Sequence, residues 1–318
     1  MDLDSVRRQA EQLRVELGKV FTGQTELVDL LLATVYCGRH TLIEGVPGVG
    51  KTLLAKALAR LLGADFQRIQ FTPDLMPSDV LGTEVYLPNA NSFEFRPGPI
   101  FTTVLLADEI NRTPPKTQAS LLEVMEERTV SMGRETRTLS PLFTVLATQN
   151  PIEYEGTYPL PEAQVDRFMT KLLVAYPSLE DDLQILGQYN QNIDLHRAAT
   201  ESLQPVTNPD EVLQARDPIR QINAAPEVVQ YVAQLVRATR QHPQVHLGAS
   251  PRGAIHLLLL SKALAAMDGR DFVTPDDVKL VVPAVLRHRI LLTPEAQVAA
   301  RSTDDVLDAV VSQVEVPR

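Results

Sequence analysis

The sequence predicts an α/β fold in which a core with a parallel sheet and two β-hairpin insertions is followed by a smaller all-helical domain. Three observations predict it. Gly45-Val46-Pro47-Gly48-Val49-Gly50-Lys51-Thr52 matches the pattern G-x-x-x-x-G-K-[ST], with a short strand before it (His40–Glu44) and a helix after it (Leu53–Leu62, ended by Gly63). Val104-Leu105-Leu106-Ala107-Asp108-Glu109 is an apolar run ending in two carboxylates, the pattern of a buried parallel strand whose C-terminal end faces a ligand crevice. From about Ser178 strand patterning stops and capped helices succeed one another, which predicts domains over residues 1–177 and 178–318.

The first element is an α-helical preamble. Leu3 to Leu17 has helical periodicity, and a second helix runs from about Glu26 to Tyr36 after Val20-Phe21-Thr22-Gly23-Gln24. The glycine loop then has mechanical meaning. Its glycines let consecutive backbone N–H groups turn around phosphate oxygens, and the following helix adds about half a positive charge at its N-terminus. Lys51 is placed to neutralise the β- and γ-phosphates and the Thr52 hydroxyl to ligate Mg²⁺.

Asp65–Phe71 alternates as a strand. Glu84–Leu87 and Phe93–Arg96, joined by Pro88-Asn89-Ala90-Asn91-Ser92, read as a hairpin whose tip is either a substrate-contacting element or a plain surface turn. Asp-Glu after a strand is by itself more often a solvated turn, but downstream of a phosphate loop the weighting reverses. Asp108 then holds the Mg²⁺ shell and Glu109 polarises the attacking water. Thr113 caps a helix that starts with prolines and runs to Glu127, with Leu121, Leu122, Val124 and Met125 on its buried side. Thr129–Met132 and Thr136–Leu139 flank a Gly133-Arg134-Glu135 turn in a second hairpin. The strand Pro141–Thr148 ends in Gln149-Asn150-Pro151, where Asn150 either orients the lytic water or serves turn chemistry before the proline.

In the last part, Ser178 caps Leu179–Tyr189, and Asn208-Pro209 opens another helix. Pro226–Gln241, Pro251–Met267 and Pro275–Arg289 follow, the last two opened by Ser250-Pro251 and Thr274-Pro275.

The chain has 318 residues, 44% hydrophobic and 22% charged, the composition of an ordinary soluble globular protein long enough for two domains. Its formal net charge of −10 opposes nucleic acid and anionic membranes unless basic residues cluster. A single cysteine, Cys37, permits no intrachain disulfide, suits a reducing compartment and reads as a small buried side chain. The N-terminus has no apolar signal core and no aliphatic stretch approaches a membrane span, so a cytoplasmic protein without membrane insertion is expected. His242 and His246 have i,i+4 spacing, but Pro243 lies between them and no carboxylate completes a metal site.

Taken in order, these motifs resemble the AAA+ ATPases and in particular the MoxR family. Gly23-Gln24, Gly45–Thr52, Ala107–Arg112, Ala147–Pro151, Glu155–Gln164 and Ser250-Pro251-Arg252 carry the resemblance over nearly the whole chain, with no departure at a nucleotide-contacting position. It implies an AAA+ P-loop NTPase core with a helical lid, binding ATP with Mg²⁺ through Gly45, Val46, Pro47, Gly48, Val49, Gly50, Lys51, Thr52 and Leu53. It assigns Asp108 and Glu109 to Walker B, Asn150 to sensor 1, Arg167 to the arginine finger, Arg252 to sensor 2 and Gln24 to the segment near adenine. An arginine finger given in trans implies a ring, usually a hexamer in the resembling family. The resemblance further implies chaperone-like remodelling, maturation or activation of client proteins, often von Willebrand factor A domain proteins. A nucleic-acid motor, with Arg134 and Arg137 of the second hairpin tracking a backbone, is the alternative; a switch with negligible turnover is disfavoured by Glu109.

Overall fold

The structure, a computed structural model, describes residues 1–89, 91–132, 135–151 and 156–317. Two helices come first, α1 (Leu3–Gly18) and α2 (Thr25–Tyr36); then β1 (Thr41–Gly45), α3 (Lys51–Leu61), β2 (Phe66–Gln70) and α4 (Pro77–Leu81). The hairpin β3 (Gly82–Leu87) and β4 (Ser92–Pro97) precedes β5 (Val104–Asp108) and α5 (Pro115–Glu127). A second hairpin, β6 (Thr129–Met132) and β7 (Glu135–Thr138), leads to β8 (Thr144–Gln149), α6 (Glu162–Val165) and β9 (Thr170–Val174). Beyond these lie α7 (Leu179–Asn190), α8 (Leu195–Arg197), α9 (Pro209–Gln221), α10 (Pro226–Gln241), β10 (Val245–Leu247), α11 (Pro251–Met267), α12 (Pro275–Leu286), β11 (Leu291–Leu292), α13 (Pro294–Val298) and α14 (Thr303–Gln313).

Five strands pair in the order β2-β5-β8-β1-β9, all parallel. Residue alternation explains how they are covered. Leu106 and Leu146 point into one apolar cluster with α1, α2, α3 and the helical domain, whereas Leu105, Ala107, Val145 and Ala147 point into another with Leu121, Leu122 and Met125 of α5. The sheet is thus buried on both faces, which is why β5 and β8 read as continuous apolar runs. Each such leucine contributes about 1.5–3 kcal/mol by burial.

α1 buries Val6, Ala10, Leu13 and Leu17, one stripe at helical spacing, and Asp2 caps it by accepting from the Ser5 N–H. A buried relay joins it to the helical domain: the Tyr36 hydroxyl donates to Gln9 Oε1 at 2.7 Å, and Gln9 Nε2 donates to Thr207 Oγ1 at 2.5 Å. Between α1 and α2 the residues Val20 and Phe21 are buried, so the interruption of periodicity is a packed corner.

Several details differ from expectation. α5 begins after Pro114, not Thr113: the proline at the cap position sets the extended backbone, while the buried Thr113 lies outside and Thr117 Oγ1 donates to Leu75 O at 2.8 Å. The domain expected to be all-helical also carries an antiparallel pairing, Val245–Leu247 with Leu291–Leu292, too short to show in periodicity. The capping hydroxyls of Ser178 and Thr274 accept from backbone N–H groups, as does the side-chain oxygen of Asn208, but Ser250 does not cap α11: its hydroxyl donates across the domains to Asp166 Oδ2 at 3.1 Å. The two hairpins touch, with the Arg137 guanidinium 4.4 Å from the centroid of the Phe95 ring and paired with Glu135, so Arg137 is occupied within the protein. Gly133, Arg134 and Glu155 involve positions at or beside segments of which 133–134 and 152–155 lie outside the described residues. His242 Nδ1 accepts from the Gln244 N–H at 3.3 Å in a local turn. Burial pushes the Cys37 thiol up to about 12. Among the described residues no helix is long and apolar enough to cross a membrane.

His40 pins three elements. Its Nδ1 accepts from the Val145 N–H at 3.0 Å and its Nε2 lies 3.0 Å from Met125 O, and burial pushes its pKa down to about 3. The folded state therefore holds a neutral ring. Unfolded, the imidazole takes a proton near pH 6.5. Stability from this group is complete above that pH and is lost as pH falls toward 3, at up to about 1.4 kcal/mol per pH unit. Buried His256 and His288 are shifted the same way. Urea midpoints are expected to fall from pH 7 to pH 5, with a slope shallower by about one proton in His40→Asn than in the parent.

Candidate active site

The parallel register decides what meets at the C-terminal edge of the sheet. Gln70 lies opposite Asp108, Ala107 opposite Ala147 and Ile43 opposite Thr148, so β1, β2, β5 and β8 all end together. β1 ends at Gly45, where a side chain is impossible: a Cβ would lie 2.8 Å from Val174 O. Gly48 and Gly50 adopt φ of +87° and +88°, and a Cβ on Gly48 would meet open space, so the loop presents backbone toward an uncovered hollow. α3 starts at Lys51 with Gly50 as its cap, and Phe21 packs against Gly50 from below.

A cleft of about 250 Å³ sits on this edge and is lined by Gly48, Lys51, Thr52, Asp108, Glu109 and Asn150. The Lys51 ammonium turns back onto the carbonyls of Gly45 and Val46. Asp108, 8% exposed, is held on both oxygens: Thr148 Oγ1 donates to Oδ1 at 2.6 Å, and Arg68 donates to Oδ2 from Nε at 3.0 Å and Nη2 at 2.6 Å. Glu109 takes up a left-handed backbone, φ 58° and ψ 50°, unusual for a residue with a Cβ. Its N–H donates to Thr148 Oγ1 at 2.8 Å, so one buried hydroxyl orders both acids. On the side chain, Gln70 Nε2 donates to Glu109 Oε2 at 2.7 Å and Arg112 Nη1 lies 3.4 Å from the same oxygen.

The chemistry of this cleft suits a nucleoside triphosphate with a hard cation. Inward-turned amides and an ammonium match phosphate oxygens, and a hydroxyl plus a carboxylate is the donor set that Mg²⁺ takes from a protein, keeping water and substrate phosphates for the rest. Thr52 and Asp108 are the residues that can hold it.

Three residues assigned by resemblance stand elsewhere. Gln24 lines a separate cleft with Leu172, Leu280 and Arg287, its Nε2 donating to Ala175 O at 3.3 Å. Arg167 is in the turn after α6 and does not line the phosphate cleft. Arg252, at the start of α11, donates from Nη2 to Glu126 Oε1 at 3.2 Å, places Nε 4.0 Å from Asp166 and does not line the cleft. A larger hollow of about 700 Å³ lies between the strand ends and the helical domain, lined by Glu44, Asn150, Lys171, Asp166, Arg289 and Ile290. It lacks Lys51 and the glycine amides, so the smaller cleft is the one whose lining suits phosphate.

Comparison with known proteins agrees with this geometry. The model of the ATPase family associated with various cellular activities (AAA) matches residues 40–170, and that of the AAA lid domain matches residues 237–310. The protein named chaperone MoxR1 of Mycobacterium tuberculosis is 41% identical, over 97% of this chain and 82% of that one. The chain belongs to the MoxR family of AAA+ ATPases. The uncharacterized protein YeaC of Bacillus subtilis is 44% identical over 95% of this chain and 92% of its own. A crystal structure from Cytophaga hutchinsonii, described as that of a candidate ATPase, superposes with a TM-score of 0.90 at 40% identity and covers 99% of this MoxR-family chain and 97% of that one.

Four residues of the MoxR-family site escaped the sequence reading: Arg68, Gln70, Arg112 and Thr148. The alternation of Arg68 and Gln70 put both on one face of β2, a signal of a shared target, but nothing local said which. Thr148 was legible only as a strand residue. Thr148→Val keeps shape and removes the hydroxyl, stranding the Glu109 N–H and freeing one Asp108 oxygen. A loss of about 1–3 kcal/mol is expected in denaturant unfolding of the nucleotide-free protein, and an unchanged midpoint would mean the network is incidental.

Proposed function

We propose that this MoxR-family chain hydrolyses ATP with Mg²⁺ in a ring, hexameric as the family resemblance implies, and uses the cycle to remodel, mature or activate partner proteins, von Willebrand factor A domain proteins among them. The observation that carries this reading is the convergence of Lys51, Thr52, Asp108, Glu109 and Asn150 on one cleft while Arg167 stands outside it. Bound Mg²⁺ would draw charge off the β- and γ-phosphate oxygens. Lys51 leaves the loop carbonyls to bind those oxygens and the amides of the Gly45–Thr52 loop orient them; Thr52 and Asp108 would hold the cation. Glu109 takes the proton of the attacking water, held in place by the rigid turn that its Thr148 bond enforces, and Asn150 aligns that water with the γ-phosphorus. Arg167 lies outside the cleft, which supports a neighbouring subunit's site as the place where it meets the departing phosphoryl charge. An arginine finger is worth about 10³–10⁵ in rate, so Arg167 decides whether a lone subunit can turn over.

Partner remodelling is supported by the name of the mycobacterial relative, a chaperone, and by the acidic balance of the chain, which opposes nucleic acid. Localisation in the cytoplasm fits the single, half-buried cysteine.

Glu109→Gln and Arg167→Ala are each expected to lower ATPase activity by at least about 10³, and mixed rings of the two to recover part of it, because some interfaces pair an intact base with an intact finger. Steady-state phosphate release on mixtures verified to co-assemble reads this out; no recovery would sink catalysis in trans. Glu109→Gln loaded with ATP is further expected to retain a von Willebrand factor A domain protein from the same organism that the ADP form releases. Equal retention in both forms would count against nucleotide-driven client handling.

A further inference from the structure

We propose that Arg289 is a positioning residue for the arginine finger: from the helical domain it clamps the chain on both sides of Arg167, so that the helical domain of one subunit sets the finger presented to the next. The inference rests on the reading of Arg167 as a cation given in trans.

Arg289 follows α12 and its side chain is 1% exposed. Its guanidinium does not serve its own helix alone. Nε donates to Asp166 Oδ1 at 2.7 Å, Nη2 to Asp166 O at 3.1 Å and to Phe168 O at 2.5 Å, and Nη1 to Met169 O at 3.1 Å. The carbonyls immediately before and after Arg167 are therefore both held by one rigid fork. A lysine, with a point charge on a flexible stem, cannot reproduce that geometry.

The surroundings are built around this fork. His256 Nδ1 lies 2.7 Å from Nη2 and His288 Nε2 lies 2.7 Å from Nη1. Burial and the Arg289 charge keep both rings neutral, so neither repels the guanidinium. Asp166, which pairs with Arg289, is shared by two further groups of the helical domain, Ser250 Oγ at 3.1 Å and Arg252 Nε at 4.0 Å. Ser250 spends on Asp166 the hydroxyl that would otherwise cap α11. Removing a charge from water costs several kcal/mol, and a plain domain contact is made more cheaply by leucine; a fork aimed at main-chain carbonyls instead fixes a backbone path. That path carries Arg167. An arginine finger acts through its reach, and a shift of about 1 Å at a reacting centre costs about 10²-fold in rate.

The test exploits the direction of the defect. Arg289→Lys should lower ATPase activity at least tenfold with the apparent affinity for ATP unchanged, because its own phosphate cleft is intact. Mixed with Glu109→Gln subunits, which retain the finger, it should recover activity. Mixed with Arg167→Ala subunits, which retain the base, it should not. Asp166→Asn, at a partly exposed carboxylate, should show the same pattern and serves where Arg289→Lys fails to fold. Recovery with Arg167→Ala instead of Glu109→Gln would place the defect in the subunit's own site and overturn the inference. So would a parental rate for both variants, or loss in every mixture. The mixture of Arg167→Ala with Glu109→Gln is the control that separates the two ideas: without recovery there, the trans reading itself falls and this inference with it.

Discussion

The register of the five parallel strands is the constraint on which the site depends. Because side chains alternate along a strand, a slip of one residue in β5 would exchange its two apolar faces and carry Asp108 away from Arg68 and Thr148. Burial on both faces forbids that slip, since Leu105 and Ala107 fill one cluster and Val104 and Leu106 the other. The hydrophobic effect thus sets, to within one residue, where two acids, a hydroxyl and a glycine loop come together. The polar groups contribute little to this decision. They occupy the strand ends that apolar packing leaves at the edge.

Charge balance at that edge is the second organising feature. Two adjacent acids cannot be left half-buried without compensation, and here each carboxylate has its own arginine: Arg68 for Asp108 and Arg112 for Glu109. Both arginines are partly exposed, so these pairs are modest in energy and can be exchanged for a bound cation or a water. Thr148 is different. It is fully buried and touches both acids, and it sustains the left-handed turn at Glu109, the kind of local strain that functional sites hold against a well-packed frame. The frame is rigid and the counter-charges are removable, a combination suited to a site that must accept and release a highly charged ligand.

The helical domain is joined to the core by apolar packing and by a few directed polar contacts. One cluster runs without a break from α1 and α2 through α3 to α11, α12 and α14. Across it, Gln9 reaches Thr207, Ser250 reaches Asp166 and Arg289 grips the carbonyls around Arg167. Apolar contact holds the domains together without dictating orientation; the polar contacts are directional and do dictate it. The last two converge on the segment after α6. Arg252, expected beside the nucleotide, belongs to this same group, paired with Glu126 and near Asp166.

By itself, the sequence determined the elements and the chemistry of the phosphate loop. Glycine spacing, apolar runs, capping residues and the order of motifs are local, and local rules read them: β1, β5, the two hairpins and α7, α9, α10, α11 and α12 lie close to where the sequence placed them, whereas α14 went unread. The acids at the end of β5 were legible for the same reason, since a strand end after a phosphate loop has one place to be. Tertiary structure alone decided which distant groups answer those acids. Arg68, Gln70 and Thr148 are polar residues on strands, indistinguishable in sequence from solvated ones until sheet order sets β2 and β8 on either side of β5. The placement of Arg252 and the grip of Arg289 on the carbonyls around Arg167 depend on how two domains pack, and side-chain contacts across such an interface leave no periodic trace in the chain.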